Sequence, residues 1–421
     1  MARGAGQSRM AMHLSRSFRA LVALLCAASV AACSHSTSSS GAGASPAPAV
    51  VKIGIDLPLS GADASVGRST LNGMLLAISQ ANAKGLPGKF KLETMQLDDA
   101  VQGVHSPEQG VSNVKTMIAD PSVLAMLGPY NSNVASAEIP VTNGAGLAQI
   151  SPSAVSDGLT LGADAATLRR NNPTRNTFFR VCTTDSRQGS AAAAFALKFG
   201  WKKAYIIDDD ETYGLDLANV FEHDFAAKGG TILGHDHIAK NTQDFKSLLT
   251  KIAATKPDLI FFGGTTSTGA GLIRQQMFDT GLGKVAFMGG DGIPDIATVA
   301  GPRADGTYYT LAAPNAQKLP SAQAFIKAYE AAYHKPIGPY SANAYAAAQV
   351  AIVAIEHAIV AAGNAMPTRA QVLAQVAKTT DVRTPIGPIS FDANGDVKQP
   401  VLSLYTIKNG KPVFLDQINL K

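Results

Sequence analysis

Short apolar runs alternate with longer amphipathic segments along most of the chain. Residues 51–57 have an apolar side chain at every second position, which predicts a strand. Residues 71–83 are amphipathic and run into Lys84-Gly85, a helix stop, which predicts a helix. This alternation continues to residue 150 and starts again near residue 177. Two successive β/α series predict an α/β fold with two parallel sheets, each flanked by helices.

The same periodicities predict the individual elements. Further strands are predicted at residues 92–97, 123–127, 147–150, 178–181, 204–207, 231–237, 258–262, 285–288 and 307–311. Further helices are predicted at residues 107–118, 135–144, 188–199, 215–228, 245–254, 272–280, 322–333, 342–362 and 369–377. Near the C-terminus, strands 389–391 and 401–406 flank residues 392–395, a turn signal that predicts a hairpin.

The N-terminus has the pattern of a secretory signal. Residues 1–20 carry four arginines and no acidic residue, and an apolar run follows at residues 21–32. That run is shorter than the about 20 apolar residues of a spanning helix, so we expect a signal peptide over residues 1–32. No later stretch is expected to cross a membrane.

Small residues stand directly before Cys33, as in the bacterial lipobox, in which the cysteine thiol is acylated and becomes the mature N-terminus. The alternative is an ordinary signal cleaved nearby, with Cys33 incidental. Residues 33–49 are rich in Ser, Gly, Ala and Pro, a composition that cannot bury apolar surface and predicts a flexible tether. A lipid anchor followed by a tether predicts a folded domain that is held near a membrane surface without crossing the membrane.

Charge and cysteine content narrow the class of protein. Four of the 36 basic residues lie in the predicted signal, so 32 remain against 31 acidic residues, and this near neutrality gives no indication of nucleic-acid binding. Once Cys26 leaves with the signal and Cys33 is acylated, Cys182 stands alone and no intramolecular disulfide can form. The roughly 370 residues that remain exceed what one core usually spans, which favours two lobes.

The sequence lacks the motifs of the common enzyme classes. The first predicted strand is followed by Leu57-Pro-Leu-Ser-Gly61 rather than by G-x-G-x-x-G, and neither a P-loop nor a G-x-S-x-G elbow occurs. We therefore do not expect a dinucleotide-dependent enzyme.

Three polar clusters have some features of metal sites. His235 and His237 alternate along a predicted strand and so point the same way, but no third ligand lies close by in the sequence, which favours a solvated strand face. Residues 392–396 are spaced like part of a calcium loop but lack the distal glutamate. The acidic run at residues 208–211 is typical of a solvated loop. We expect no metal.

Polar loops follow five of the predicted strands. They lie at residues 128–133, 151–155, 208–213, 263–266 and 289–292. The first two offer hydroxyl and backbone N–H groups just ahead of a helix, where a carboxylate is favoured. Asp291, flanked by glycines that let backbone approach, suits an ammonium group. An anion site on one lobe facing Asp291 on the other would clamp a zwitterion, although any single loop could be an ordinary connection.

Short segments in a fixed order carry a resemblance to a known family. They are Lys52-Ile-Gly-Ile, Leu59-Ser-Gly61, Asn72-Gly73, Asp98-Asp99, Gly128, Ile150-Ser-Pro152, Phe179-Arg180, Asp185, Gln188-Gly189, Tyr213-Gly214, Asp244-Phe245, Phe287-Met-Gly289 and Ile386-Gly-Pro388. In their order and spacing the chain resembles the periplasmic leucine/isoleucine/valine-binding protein family, the type I periplasmic binding proteins that serve branched-chain amino acid ABC transporters.

The resemblance implies two lobes joined by three crossings. The crossings are expected near residues 183–186, 312–315 and 386–390. Lobe 1 is then expected to contain residues 51–184 and 314–387, and lobe 2 residues 185–313 and 388–421.

The resemblance also implies roles in the cleft. Ser132 matches the serine that holds the ligand carboxylate. Ser153, Ala154 and Val155 match the loop whose backbone and threonine hold the carboxylate and the amine. Tyr213 matches an aromatic residue of the second lobe that closes on the ligand, and Asp291 matches an acidic residue that pairs with the α-ammonium group.

Some cleft positions depart from the family pattern. Val155 replaces threonine, which removes one hydroxyl from the carboxylate site, and Asp291 is shorter than the usual glutamate. Thr265, a further expected ligand residue, stands with Thr266 where a tyrosine pair is common. An amino-acid-like ligand is expected from Asp291, and an aromatic or other carboxylate, or an amide, is the alternative.

The N-terminal segment predicts an exported, lipid-anchored protein. The resemblance implies a periplasmic monomer that captures a small molecule, breaks no bond, needs no cofactor and delivers the molecule to an ABC transporter permease. One alternative is a sensor subunit, in which the same clamp docks on a receptor. Another is an extracytoplasmic enzyme.

Overall fold

The computed structural model describes residues 49–239 and 241–419, which form one compact unit. The predicted signal peptide, Cys33 and nearly all of the tether lie outside the described residues.

Strands and helices alternate through most of this unit. The strands are β1 (Val50–Leu57), β2 (Lys91–Asp98), β3 (Ala100–Val101), β4 (Val104–His105), β5 (Val123–Leu127), β6 (Ala148–Ser151), β7 (Phe178–Arg180), β8 (Lys203–Asp208), β9 (Thr231–His237), β10 (Leu259–Gly263), β11 (Ala286–Gly289), β12 (Thr307–Leu311), β13 (Val382–Thr384), β14 (Gly387–Ile389), β15 (Val401–Lys408) and β16 (Lys411–Asn419). The helices are α1 (Ala64–Lys84), α2 (Pro107–Ala119), α3 (Ser132–Ala145), α4 (Gly162–Leu168), α5 (Asp185–Lys198), α6 (Thr212–Ala227), α7 (Lys246–Thr255), α8 (Gly271–Met277), α9 (Ala297–Ala300), α10 (Gln323–Tyr333), α11 (Ser341–Ala361) and α12 (Arg369–Val376).

The first sheet is parallel and has the order β2-β1-β5-β6-β7. Its central strands are buried on both faces, and every residue of β5 is buried. Helices that cover both faces of a parallel sheet exclude water from both sides of each strand, so β5 is a continuous apolar run. This arrangement confirms the predicted parallel α/β layer.

The second sheet has the order β16-β15-β12-β11-β10-β8-β9. The five strands from β12 to β9 are parallel, as predicted. β15 and β16 extend this sheet as antiparallel strands. β16 was not predicted, because most of its side chains are exposed or half-buried and its apolar alternation is weak.

Helix α11 is the most apolar of the described helices that are long enough to cross a membrane. Contrary to the expectation from sequence, it has the length and hydropathy of a membrane span, but 61% of its most apolar window is buried inside the fold. It packs closely on α1 at Gly73, where a Cβ atom would lie 2.2 Å from the Ser341 carbonyl oxygen. α11 is therefore a core helix, and Gly73 permits this close approach.

The three predicted crossings run side by side between the two sheets. The Thr183 N–H donates to the Ala312 carbonyl at 3.2 Å, and residues 386–389 line the same groove as these two segments. Residues 391–396, assigned to lobe 2 from the sequence, contact the end of the first sheet instead: Phe391 packs on Phe179, and Asp396 pairs with Arg180. The exact lobe boundaries stay a prediction.

Two predicted elements differ from the structure. α1 begins at Ala64 rather than at residue 71, because its first turns hold few large apolar residues that would reveal a helical period. The predicted hairpin between strands 389–391 and 401–406 does not form. β14 pairs with β13 and β15 pairs with β12 and β16, while a single bridge from Phe391 to Val397 closes the turn.

Candidate functional site

The loops at the C-terminal ends of β5, β6, β8, β10 and β11 meet between the two sheets. They surround a narrow cavity lined by Tyr130, Asn131, Ser132, Ser153, Val155, Tyr213, Thr265, Asp291 and Gly292. Parallel strands of both sheets point these loops into the same space, as expected for an α/β fold. Six of the seven predicted ligand residues line this cavity, and Ala154 does not.

Ser132 contributes a hydrogen-bond donor to the cavity. It is the first residue of α3, and its Oγ accepts from the Val155 N–H at 3.1 Å and from the Ser156 N–H at 3.2 Å. A hydroxyl has two acceptor positions and one donor. Both acceptor positions are used, so the hydroxyl proton is left to donate to a ligand.

The loop that contains Ser153 and Ala154 already uses its polar groups. Both backbone N–H groups donate to Ser151 Oγ, at 3.2 and 2.9 Å, and the Ser153 hydroxyl donates to the Tyr130 carbonyl at 2.9 Å. The Ala154 carbonyl accepts from Arg180 Nη1 at 3.1 Å. In this conformation the loop supplies the shape of the cavity wall rather than free donors.

Asp291 is the acidic group of the cavity and is 4% exposed. Its Oδ2 accepts from the Tyr340 hydroxyl, whereas its Oδ1 is buried with no hydrogen-bond partner among the described residues. Burial raises the pKa of the Asp291 carboxyl, and the hydroxyls of Tyr340 and Tyr213 partly oppose that rise. A buried carboxylate oxygen without a partner costs free energy that a ligand ammonium group would recover.

Two further tyrosines lie at the cavity and were not predicted as site residues: Tyr130 lines it, and Tyr340 contacts Asp291. Tyr130 and Tyr340 pack edge to face, with ring centroids 5.6 Å apart, and the Tyr130 hydroxyl is buried without a partner among the described residues. Tyr130 lies inside a loop that the sequence analysis identified. Tyr340 precedes α11 and comes from a distant part of the chain, so no local pattern connects it with Asp291.

Polar contacts join the loops of the two sheets beside the cavity. Glu211 Oε2 lies 2.8 Å from His105 Nε2 and accepts from Asn133 Nδ2 at 2.8 Å. Asp63 accepts from the Ser267 hydroxyl at 2.5 Å and lies 3.2 Å from His105 Nδ1. We call the group formed by these five residues the clasp.

The clasp corrects the expectation that residues 208–211 form a solvated loop. Asp208 and Asp209 are buried. Asp208, the last residue of β8, contacts His235 and His237 of β9, and Asp209 accepts from Thr268 Oγ1 at 2.7 Å. Burial opposes protonation of His105, but hydrogen bonds to Asp63 and Glu211 outweigh it and raise its pKa to about 10. His105 is therefore a cation at neutral pH, paired with two carboxylates.

Comparison with known proteins agrees with this geometry. Residues 50–411 match the family model described as periplasmic binding protein. The Leu/Ile/Val-binding protein BraC3 of Rhizobium johnstonii is 32% identical over 366 residues, which cover 86% of this chain and 92% of that protein.

Two solved structures extend the comparison. The leucine-binding protein LivK of Thermotoga maritima has a TM-score of 0.76 at 25% identity and covers 88% of this chain and 99% of its own. A solute-binding protein of an R. palustris ABC transporter, in complex with benzoate, has a TM-score of 0.73 at 24% identity and covers 87% of this chain and 96% of its own.

Proposed function

The chain belongs to the type I periplasmic binding protein family of branched-chain amino acid ABC transporters, and from that premise we propose that it captures a small amino-acid-like ligand and delivers it to a transporter permease. Members of this family are substrate-binding components of ABC transporters, which bind a small molecule without transforming it. The ligand and the delivery step are our proposals for this chain.

The observation that carries the proposed ligand is the pairing of two buried groups across one cavity. The Ser132 hydroxyl has a proton to donate and suits a carboxylate, while Asp291 Oδ1 lacks a partner and suits an ammonium group. These groups come from loops of different sheets, so one α-amino acid would contact both sides of the cleft. Such a ligand stabilises the closed arrangement because it binds that state better than an open one.

A second candidate ligand is an aromatic or other carboxylate without an amine. The side chains of Tyr130 and Tyr213 line the cavity and offer it an aromatic wall, and the structurally similar R. palustris protein holds benzoate. An amine-free ligand would leave Asp291 Oδ1 unpaired, so we favour the amino acid.

A screen of ligands tests the proposed function. Each standard amino acid, benzoate and 4-hydroxybenzoate is added to the full-length chain, the rise in Tm is recorded, and binding is confirmed by calorimetry. We expect amino acids to give the largest shifts, and the bound amino acid to be recovered unchanged. Conversion of the ligand into a product would contradict a binding function, and a preference for benzoates would replace the proposed ligand by the second candidate.

We further propose that the chain is exported, acylated on Cys33 and held at the periplasmic side of a membrane as a monomer. The basic and apolar N-terminal segment and the small residues before Cys33 support this. Cys33→Ser should abolish incorporation of labelled fatty acid and release the protein from the membrane fraction. Acylation of the variant at the wild-type level would contradict the anchor.

A sensor subunit that docks on a receptor would have the same cleft. Co-purification distinguishes transport from sensing, because a transport protein is recovered with a permease and a sensor with a receptor.

A further inference from the structure

Outside the cleft, Asp208, His235 and His237 bring three side chains of metal-ligating chemistry to one point. β8 and β9 are parallel neighbours, and their register places His237 opposite Asp208. His235 and His237 are two residues apart on β9 and therefore share a face of the strand. The third ligand, which is not close by in the sequence, is supplied by the adjacent strand.

The distances among these groups are short. His235 Nε2 lies 2.5 Å from Asp208 Oδ2, and His237 Nδ1 lies 2.9 Å from both carboxylate oxygens of Asp208. A tetrahedral ion with bonds of about 2.0–2.2 Å holds its ligand atoms about 3.3–3.6 Å apart. The ligand atoms would therefore have to move apart for an ion to fit between them. The His237 side chain is 54% exposed and can move outward, while the Asp208 side chain is fully buried.

A second carboxylate orients one of the imidazoles. His235 Nδ1 lies 2.7 Å from Glu222 Oε2 on α6, so its Nε2 is the nitrogen that faces Asp208 and His237. A carboxylate on the far nitrogen is the arrangement that fixes the tautomer and raises the basicity of a metal-bound histidine. An ion pair between His235 and Asp208 alone would not require a second carboxylate at Nδ1 of His235.

The charge distribution also favours a cation at this point. The two imidazole rings are 5.0 Å apart and share the single carboxylate of Asp208. A bound ion would contact one nitrogen of each imidazole and an oxygen of that carboxylate together, which brings all three side chains to one centre.

We propose that Asp208, His235 and His237 form a site for a divalent transition-metal ion, with Zn²⁺ as its preferred occupant and Glu222 as the residue that positions His235. Two imidazoles and one carboxylate suit Zn²⁺, whereas Ca²⁺ and Mg²⁺ prefer sets of oxygen ligands. The exposed side of His237 leaves a fourth position open to water. Such an ion would link β8, β9 and, through Glu222, α6.

The site is distinct from the amino-acid cavity but lies on the same strand end. Asp208 is the last residue of β8, and Glu211 of the clasp follows three residues later. An ion on Asp208 would therefore hold the start of the loop that reaches across the cleft.

Calorimetric titration of Zn²⁺ into the untagged full-length chain, freed of metal with a chelator, tests the proposal. We expect one ion per chain and a rise in Tm that the chelator reverses. His237→Ala, which removes a half-exposed side chain, should abolish this binding, and Glu222→Gln should weaken it by about 10- to 100-fold. His223→Ala is the matched control: this histidine also lies on α6, but its side chain is 82% exposed and pairs with Asp224, so Zn²⁺ binding should be unchanged.

X-ray absorption at the zinc edge gives a readout that does not depend on stability. We expect two imidazole ligands in the wild type. Zn²⁺ binding of equal stoichiometry and affinity in His237→Ala would overturn the proposal. So would the absence of one-to-one binding to a metal-free wild-type chain that unfolds cooperatively.

Discussion

At the scale of single residues, the cavity is defined by polar atoms that are buried and lack partners. Tyr130 Oη, Asn131 Oδ1 and Asp291 Oδ1 are all in this state among the described residues that line it. Burying a polar atom without a hydrogen bond costs about 1–3 kcal/mol, so such atoms are uncommon in a core that has only to be stable. Their convergence on one cavity is what a site for a polar ligand requires.

The Tyr340 hydroxyl should tune the affinity of Asp291 for an ammonium group. Tyr340→Phe removes the hydrogen bond to Asp291 Oδ2 and so raises the pKa of a carboxyl that burial already raises. As the pH falls, protonation of Asp291 removes its charge and so lowers the affinity for an amino acid. Because the pKa of Asp291 is higher in Tyr340→Phe, this loss of affinity should begin at a higher pH in the variant than in the wild type. Calorimetry between pH 5 and 8 measures the shift, and affinity near neutral pH should fall by about tenfold or more.

Tyr329→Phe is the control for this variant. The Tyr329 hydroxyl is also buried, but it donates to the Ser69 carbonyl rather than to a group of the cavity. Its removal should leave the pH profile of ligand binding unchanged. Identical profiles for wild type and Tyr340→Phe would contradict the role given to Tyr340.

At the scale of elements, the regular β/α series is predictable and the closing segments are not. The sequence predicts the bounds of β5, β9 and β12 correctly, because each is a compact apolar or alternating run between turn signals. The partners of β14 and β15 depend on contacts between distant parts of the chain, and β16 shows little apolar pattern. Among site residues, loops after strands locate Ser132, Tyr213 and Asp291, whereas Tyr340 is found only once the chain is folded.

One buried ion pair should hold residues 391–396 against the end of the first sheet. Arg180 Nε lies 2.6 Å from Asp396 Oδ1, and the same guanidinium donates to the Ser156 carbonyl and to Thr160 Oγ1. Arg180→Met should lower the free energy of unfolding by about 3–5 kcal/mol, because it leaves a buried carboxylate without its cation. Urea denaturation measures this change.

An exposed ion pair provides the contrast. Lys198 Nζ lies 3.3 Å from Asp416, and both side chains are largely exposed. Lys198→Met should therefore have little effect on stability. An equally small effect of Arg180→Met would mean that the segment is held by its other contacts.

At the scale of the whole molecule, side-chain hydrogen bonds join the loops of the two sheets across the cleft. Asp291 contacts Tyr340, Glu211 contacts His105 and Asn133, and the Ser156 hydroxyl contacts Asp216. These contacts bridge the two sides of the cleft, so they would have to break for the cleft to open. The three adjacent crossings are the natural hinge for that motion.

Weakening the clasp should shift the ligand-free protein towards an open state. Glu211→Gln removes the negative charge that pairs with His105, and it should enlarge the radius of gyration of the ligand-free chain in X-ray scattering. Saturating ligand should return the radius of gyration to the wild-type value. The apparent affinity should fall, because a smaller fraction of the ligand-free molecules is in the closed state. Unchanged scattering and affinity would show that the clasp does not govern closure.

Calorimetry with leucine and with its amine-free analogue, 4-methylpentanoate, on wild type and Asp291→Asn tests whether the cleft recognises an amino acid through Asp291. Asparagine preserves the size of the side chain, removes its charge and replaces one acceptor oxygen by an NH₂ donor. We predict that Asp291→Asn weakens leucine binding by at least about 30-fold, and that 4-methylpentanoate binds weakly and equally to both proteins. If 4-methylpentanoate binds both proteins as tightly as leucine binds the wild type, the cleft does not recognise an amino acid through Asp291 and the account is wrong.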